Sequence, residues 1–353
     1  FVRAKNVQID PFNVESLAAH KRKNSILIHA EQNLTQKVMS ILMMAVGDSK
    51  LEQVAKTFVR DLCRQFALFY LGRNSSQNES FTELNPDLFL DALIDVLCWE
   101  NSAAENPPAE FILSEFYTTL HTLCDYEDLD QLSFIGEKII VRLSHCCYQK
   151  EWNKKLGGSR GIIYLCNYVT NNWIGKYCLD LIRCLICVVK DSANNLTVME
   201  EAHRALECVI KTTAECVAHI DPGEARKTYM NMEIAFVQEV SNANPAVRKC
   251  VQALAKMVSE IYGRPIAFIL ESFKIILMQS IKGERYDGLV MQLKIGFMDA
   301  VGFFFSLEQP LLNMTPQVIG VIDRALQVCA SKETKQSAPL RLACLKMLRE
   351  TLN

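Results

Sequence analysis

Long apolar runs, an excess of charge of one sign and strand-forming segments are all scarce in this 353-residue chain. No apolar run reaches the roughly 18 residues that a membrane-spanning helix needs, and no signal peptide opens the sequence. The 38 basic and 40 acidic residues leave a formal charge of -2 and are mixed along the chain. A protein whose main task is to coat nucleic acid would carry a basic stripe, so direct nucleic-acid binding is not expected. The one basic cluster, His20-Lys21-Arg22-Lys23, reads as a solvated helix face, with a nuclear address as the alternative. Glycine-rich strand-turn-helix signals are missing too, which argues against α/β folds. The chain lacks an initiating Met and stops inside the helical pattern KMLRETLN, so it is expected to be a segment of a larger protein.

What is present is apolar, helical and rich in thiols. Half of the residues are apolar, ample material for a core. Most of the 14 cysteines sit inside periodic apolar runs such as DLCRQFALF, LIRCLICVV and RLACLKML, rather than in loops as in small secreted scaffolds. Cysteine then serves as a small core residue of a reduced, intracellular protein. On that reading the sequons Asn74-Ser75-Ser76 and Asn195-Leu196-Thr197 carry no meaning.

One segment, NANPAVRKCVQALAKMVSEIYGRP, shows the helical grammar in full. Asn244 is a good N-cap and Pro245 a good first helical residue, where the missing donor costs nothing. Val247, Val251, Leu254 and Val258 then form one apolar stripe, Gly263 ends the helix and Pro265 opens the next. The same device recurs at Asp10-Pro11, Asn85-Pro86, Asn106-Pro107, Asp221-Pro222 and Thr315-Pro316. Phe89, Leu93, Val96 and Leu97 repeat the stripe after Asn85-Pro86; near the end Leu342, Leu345 and Leu348 are expected to face inward, with Ser337 as cap. Further amphipathic runs lie at roughly 33–46, 51–71, 107–123, 131–149, 159–170, 174–190, 195–213, 223–241, 265–281, 289–305 and 315–330. About 15 helices paired at a period of roughly 40–47 residues imply an all-α solenoid of HEAT-like helix pairs, one continuous segment over 1–353, with a globular helical bundle as the alternative. The phrase Pro245 to Lys249 (proline, then valine-arginine) supports this, with Arg248 expected to leave the stripe and pair with a carboxylate or carbonyl near the turn. PLRLACLKML echoes it.

Candidate chemistry is sparse. His145, Cys146 and Cys147 lie next to each other, but neighbours on a helix diverge by about 100° and cannot easily share one zinc ion. Buried packing of Ile140, Leu143 and Cys147 is the favoured reading, with Trp152 plugging the turn, Gly157-Gly158 reversing the chain with positive φ and Ser159 capping the next helix. Cys184-Leu185-Ile186-Cys187 is a C-x-x-C inside a helix, not at the helix N-terminus that a thioredoxin-like enzyme uses. On a helical wheel Cys187 falls among Asp180, Arg183 and Lys190, more exposed than Cys184. LGGSRG lacks the ending of a phosphate loop, and the motifs G-x-S-x-G, H-E-x-x-H and the kinase catalytic loop are not found. The six histidines are scattered singly. The acidic run Asp125 to Asp130 reads as a solvated loop, and GFFFSL (Gly302 to Leu307) as a doubly buried helix rather than a partner groove. No catalytic residue, cofactor, metal or small-molecule substrate is expected.

Specific phrases then carry a resemblance. CCYQKEWNKKLGG (146–158) resembles a segment of the TRRAP family, very large transcription-associated pseudokinases related to the phosphatidylinositol 3-kinase-like kinases. AKTFVRDLCRQFALF, the Asn244-Pro245 repeat, GRPIAFILESFKIILMQSI, LKIGFMDAVGFFFSLEQPLLNM and APLRLACLKML are similar to family segments in the same order. The resemblance covers nearly the whole chain. It implies a HEAT solenoid that acts as a non-catalytic nuclear scaffold, with protein subunits of histone acetyltransferase co-activator complexes and transcription activators as partners. The family's kinase-like domain lies far toward the C-terminus, outside this segment, and no binding residue carries over by motif. The alternatives are a HEAT adaptor of another class and, third, thiol or metal chemistry at residues 145–187.

Overall fold

The computed structural model describes residues 32–72, 85, 87–99, 107–124, 129–168, 171–192, 194–237, 239–280, 288–307, 312–331 and 338–352. Several sequence readings fall outside them: the 20–23 basic cluster, Asp10-Pro11, Pro86, Asn106, residues 125–128 of the acidic run and Ser337. Among the described residues the chain is all-α, with no strand. It divides into two compact units, Phe1–Ile135 and Gly136–Asn353.

The first unit contains α1 (32–44), which runs into a 3-10 turn at Ala45–Gly47, then α2 (Glu52–Tyr70), α3 (Asp87–Trp99) and α4 (Pro108–Leu123). Pro108 sits in the first turn of α4, where a missing N–H costs nothing. α2 and α3 both pack on α4. Their shared core is aromatic: the Phe89 ring lies 5.0 Å from Phe66 of α2 and 4.7 Å from Phe116 of α4. Ring pairs at this spacing add roughly 0.5–1.5 kcal/mol each beyond their burial. Phe89, Leu93, Val96 and Leu97 are all buried, as the stripe predicts.

The boundary falls inside α5 (Leu129–Tyr148), and the second unit runs on through α6 (Trp152–Tyr168), α7 (Asn171–Asp191), α8 (Leu196–Val217) and α9 (Pro222–Val237). It goes on with α10 (Pro245–Tyr262), α11 (Ile266–Ser280), α12 (Met291–Phe305), α13 (Pro316–Ala330) and α14 (Ala338–Leu352). Even helices stack on even ones: α6 on α8, α8 on α10, α10 on α12 and α12 on α14. Odd helices do the same, α7 on α9 and α9 on α11, while α7 also packs along α8. Two parallel layers of this kind are what stacked helix pairs produce, each pair burying on its neighbours the face it cannot cover alone. The even helices begin at Trp152, Leu196, Pro245, Met291 and Ala338, steps of about 44 to 49 residues that match the HEAT period.

Capping follows the sequence at Asn244, Thr315 and Asp221, while at Asn106-Pro107 the cap falls one residue later than read, on Pro107. Asn244 Oδ1 accepts from Ala246 N at 2.9 Å, Thr315 Oγ1 from Val318 N at 3.4 Å and Asp221 Oδ2 from Gly223 N at 2.8 Å. Gly263 closes α10 in the left-handed region at φ 58. Val247, Val251, Leu254 and Val258 are buried.

α14 departs from expectation. Leu342 and Leu345 are each 55% exposed, while Leu340, Ala343, Cys344 and Met347 are buried and Leu348 is half-buried. The cause lies on α12, where a Cβ added to Gly302 would stand 3.2 Å from Met347 Cα. Glycine lets the two backbones approach, and only the face with the small Ala343 and Cys344 fits that gap. Counting leucines selects the wrong side.

Candidate functional site

The stretch 144–158 needs a correction. The chain reverses at Gln149–Glu151, ahead of the glycines, and Trp152 starts α6 at 61% exposure instead of plugging the turn. Gly157 and Gly158 are buried inside α6, and among the described residues the positive-φ glycines are Gly72 and Gly263. Gly158 is there for contact: an added Cβ would fall 2.9 Å from both the Leu143 carbonyl oxygen and Cys147 Sγ. Without a side chain, α6 crosses α5 at backbone distance. Ser159 caps nothing; its hydroxyl donates to Lys155 O one turn back at 2.9 Å. Lys155 is buried in the same crossing, donating from Nζ to Cys147 O at 3.1 Å and to Asp191 Oδ2 at 2.9 Å, which joins α6 to the ends of α5 and α7.

Two thiols of this region, Cys147 and Cys187, are held protonated. A hydrogen bond donated to the Cys184 side chain, with burial, pushes the Cys147 thiol well above the usual range. Burial and the Asp191 carboxylate raise Cys187, which is half-buried where Cys184 is fully buried. Since the thiolate is both the nucleophile and the metal ligand, raised values disfavour thiol chemistry at 145–187 unless a base takes the proton. Cys146 is buried, and the His145 ring lies against the Gln149 side chain at the surface, 2.8 Å away. Phe303 and Phe304 are buried and Phe305 is half-buried, so GFFFSL packs into the core.

A different arrangement comes from residues that the sequence leaves scattered. Between the end of α7, α8 and the start of α10 lies a groove of about 1230 Å³, lined by apolar Val189, Leu196, Met199, Ala246 and Ala253. His203 of α8 and Cys250 of α10 also line it. His203 Nδ1 is 3.2 Å from Cys250 Sγ, and His203 Nε2 is 3.3 Å from Glu207 Oε1. In the tautomer that carries its proton on Nε2, toward the carboxylate, Nδ1 accepts from the thiol. Burial, with a smaller push from Glu207, raises the Cys250 thiol to about 12. His203 and Glu207 share a helix face at i and i+4, the one part of this cluster legible from spacing. Cys250 lies 47 residues beyond His203, so only helix stacking brings it there.

The same stacking places Arg248. The residue is only 4% exposed, yet one Nη donates to Asn242 O at 2.6 Å and Ala243 O at 3.0 Å. The other donates to Asp299 Oδ2 of α12 at 2.5 Å. Carbonyl and carboxylate partners are both met, as expected of the proline-valine-arginine phrase. Over residues 3–352 the sequence matches the family model described as the Tra1 HEAT repeat ring region. The chain belongs to this Tra1 ring family.

Relatives of the Tra1 ring segment extend the match. It is 25% identical to the SAGA complex/NuA4 acetyltransferase complex subunit TRA1 of Saccharomyces cerevisiae, over 90% of this chain and 9% of that protein. Against the Transformation/transcription domain-associated protein of Homo sapiens the identity is 23%, over 60% of this chain and 6% of that protein. Against Transcription-associated protein 1 of Drosophila melanogaster it is 21%, over 52% and 5%. The chain thus spans no more than 9% of the length of these relatives.

Proposed function

We propose that this Tra1 ring segment is a non-catalytic, nuclear scaffold element of a transcription co-activator, holding protein subunits of a histone acetyltransferase complex and supporting the docking of transcription activators. The observation that carries the reading is the family match over residues 3–352, joined to a relative named as a subunit of both an acetyltransferase complex and SAGA. The match runs through both compact units, which supports reading the chain as one repeat segment. Physically, stacked helix pairs spend one face on each other and leave the outer faces for protein partners. Exposed Phe268 and Ile275 on α11 and Leu342 and Leu345 on α14 are such faces.

The test is purification of the full-length parent protein through an affinity tag, followed by histone acetylation assay of the eluate and cross-linking with mass spectrometry. Co-purified acetyltransferase activity, with cross-links from lysines of this segment to other subunits, is the expected outcome. An eluate without acetyltransferase activity, or one in which this segment cross-links to no other chain, overturns the proposal.

A further inference from the structure

The groove between α8 and α10 sets three groups in the order that acyl transfer needs. Cys250 has a base within hydrogen-bond reach at 3.2 Å, and that base has a carboxylate at 3.3 Å to hold its tautomer. With the proton on Nε2, the lone pair of Nδ1 faces the sulfur. Around them the wall is apolar, and Lys249 and Arg204 supply cations among the lining residues. A large apolar cavity with a few convergent polar groups is the form a small-molecule site takes.

We propose that Cys250 is a site of S-acylation that takes a long-chain fatty acyl group into this groove, with His203 as general base and Glu207 as positioning residue. The donor is a long-chain acyl thioester. Cys250 Sγ attacks its carbonyl carbon while the thiol proton passes to His203 Nδ1. The carbonyl-to-sulfur bond of the donor then breaks, and the imidazolium returns the proton to the departing thiolate. One thioester replaces another, so no oxidant or reductant enters. Burial keeps the resting thiol protonated, with a value of about 12, so reaction requires both the base and a donor apolar enough to enter. That requirement separates Cys250 from half-buried thiols such as Cys98, Cys187 and Cys329, which do not line this groove. The inference does not depend on the scaffold reading, because it concerns a modification of the chain itself.

The test uses the full chain with alkyne-tagged palmitoyl-coenzyme A, read by hydroxylamine-sensitive labelling and mass-spectrometric mapping. The expected result is acylation at Cys250, abolished in Cys250→Ser and slowed roughly 100-fold in His203→Gln. Glu207→Gln slows it and Glu207→Asp restores it, a pattern that mere packing would not produce. Acetyl-coenzyme A labels more slowly than the long-chain donor, and free palmitate protects Cys250 in the unmodified protein, a readout that needs no variant to fold. No labelling, labelling that follows cysteine exposure, or labelling of Cys250 unchanged in folded His203→Gln overturns the proposal.

Discussion

Arg248 of α10 and Asp299 of α12 meet at 2.5 Å, one repeat apart, while the same guanidinium holds the carbonyls of Asn242 and Ala243 ahead of its own helix. One side chain thus closes a turn and fastens two stacked helices. Removing the carboxylate leaves a buried cation without its counter-charge. Asp299→Ala is expected to cost about 2–3 kcal/mol, at the lower end for such pairs because Asp299 is partly exposed to solvent. Asp299→Asn keeps an acceptor and should lose less. Urea unfolding checks both, and equal losses would mean that charge is irrelevant at this contact.

Glycines in this chain predict opposite signs. Gly158→Ala forces a methyl to 2.9 Å from the Leu143 carbonyl and should destabilise by about 1–3 kcal/mol. Gly320 lies inside α13 with no atom within 4 Å of an added Cβ. Gly320→Ala should therefore stabilise by about 0.5–1 kcal/mol through helix propensity. Thermal melting of the two variants measures the contrast, and two changes of the same sign would contradict the packing.

The face of α14 is open to the same kind of check. Met347→Ala is expected to cost about 2–5 kcal/mol, since Met347 is buried against α12. Leu345→Ser should stay within about 0.5 kcal/mol in this chain. A reversal of that order would return the leucines to the core.

Alkaline pH should unfold the protein through its thiols. Burial raises Cys178 to about 12, and Cys63 is displaced further in the same direction. An unfolded thiol titrates near about 8.5. Between these values the unfolded chain has released protons that the folded chain retains, so the stability is fully present below the lower value and falls as pH rises through the window. The loss is about 1.4 kcal/mol per thiol per pH unit. Denaturation midpoints under reducing conditions at about pH 7.5 and about pH 9.5, which bracket the titration of an unfolded thiol, report it. Cys178→Ala should flatten the dependence; an unchanged slope would show that Cys178 does not titrate in this way.

Where local chemistry decides, the chain reads clearly. Asn244, Pro245 and Gly263 mark the ends of α10 because caps and left-handed residues act within one turn, and its stripe lies inside as periodicity requires. Gly157-Gly158 misleads for the complementary reason. Glycine favours a break when nothing opposes it, but here close packing on α5 repays a helical glycine, and α6 begins seven residues earlier than the pattern implies, at Trp152 instead of Ser159. Leu342 and Leu345 mislead likewise, because hydrophobicity selects residues fit for burial without saying which neighbour is near enough to bury them.

Helix content, the caps at Asn244, Asp221 and Thr315, the repeat period and the family were determined by sequence alone, since each rests on interactions within a turn or on an ordered set of phrases. The contact of His203 with Cys250, the reach of Arg248 to Asp299 and the inner face of α14 were decided only in three dimensions. Their partners lie 47 to 51 residues apart for the two polar pairs, about one repeat, and that distance is bridged by stacking rather than by spacing. Small residues such as Gly158 and Gly302 set how closely the helices stack, and so which side chains meet.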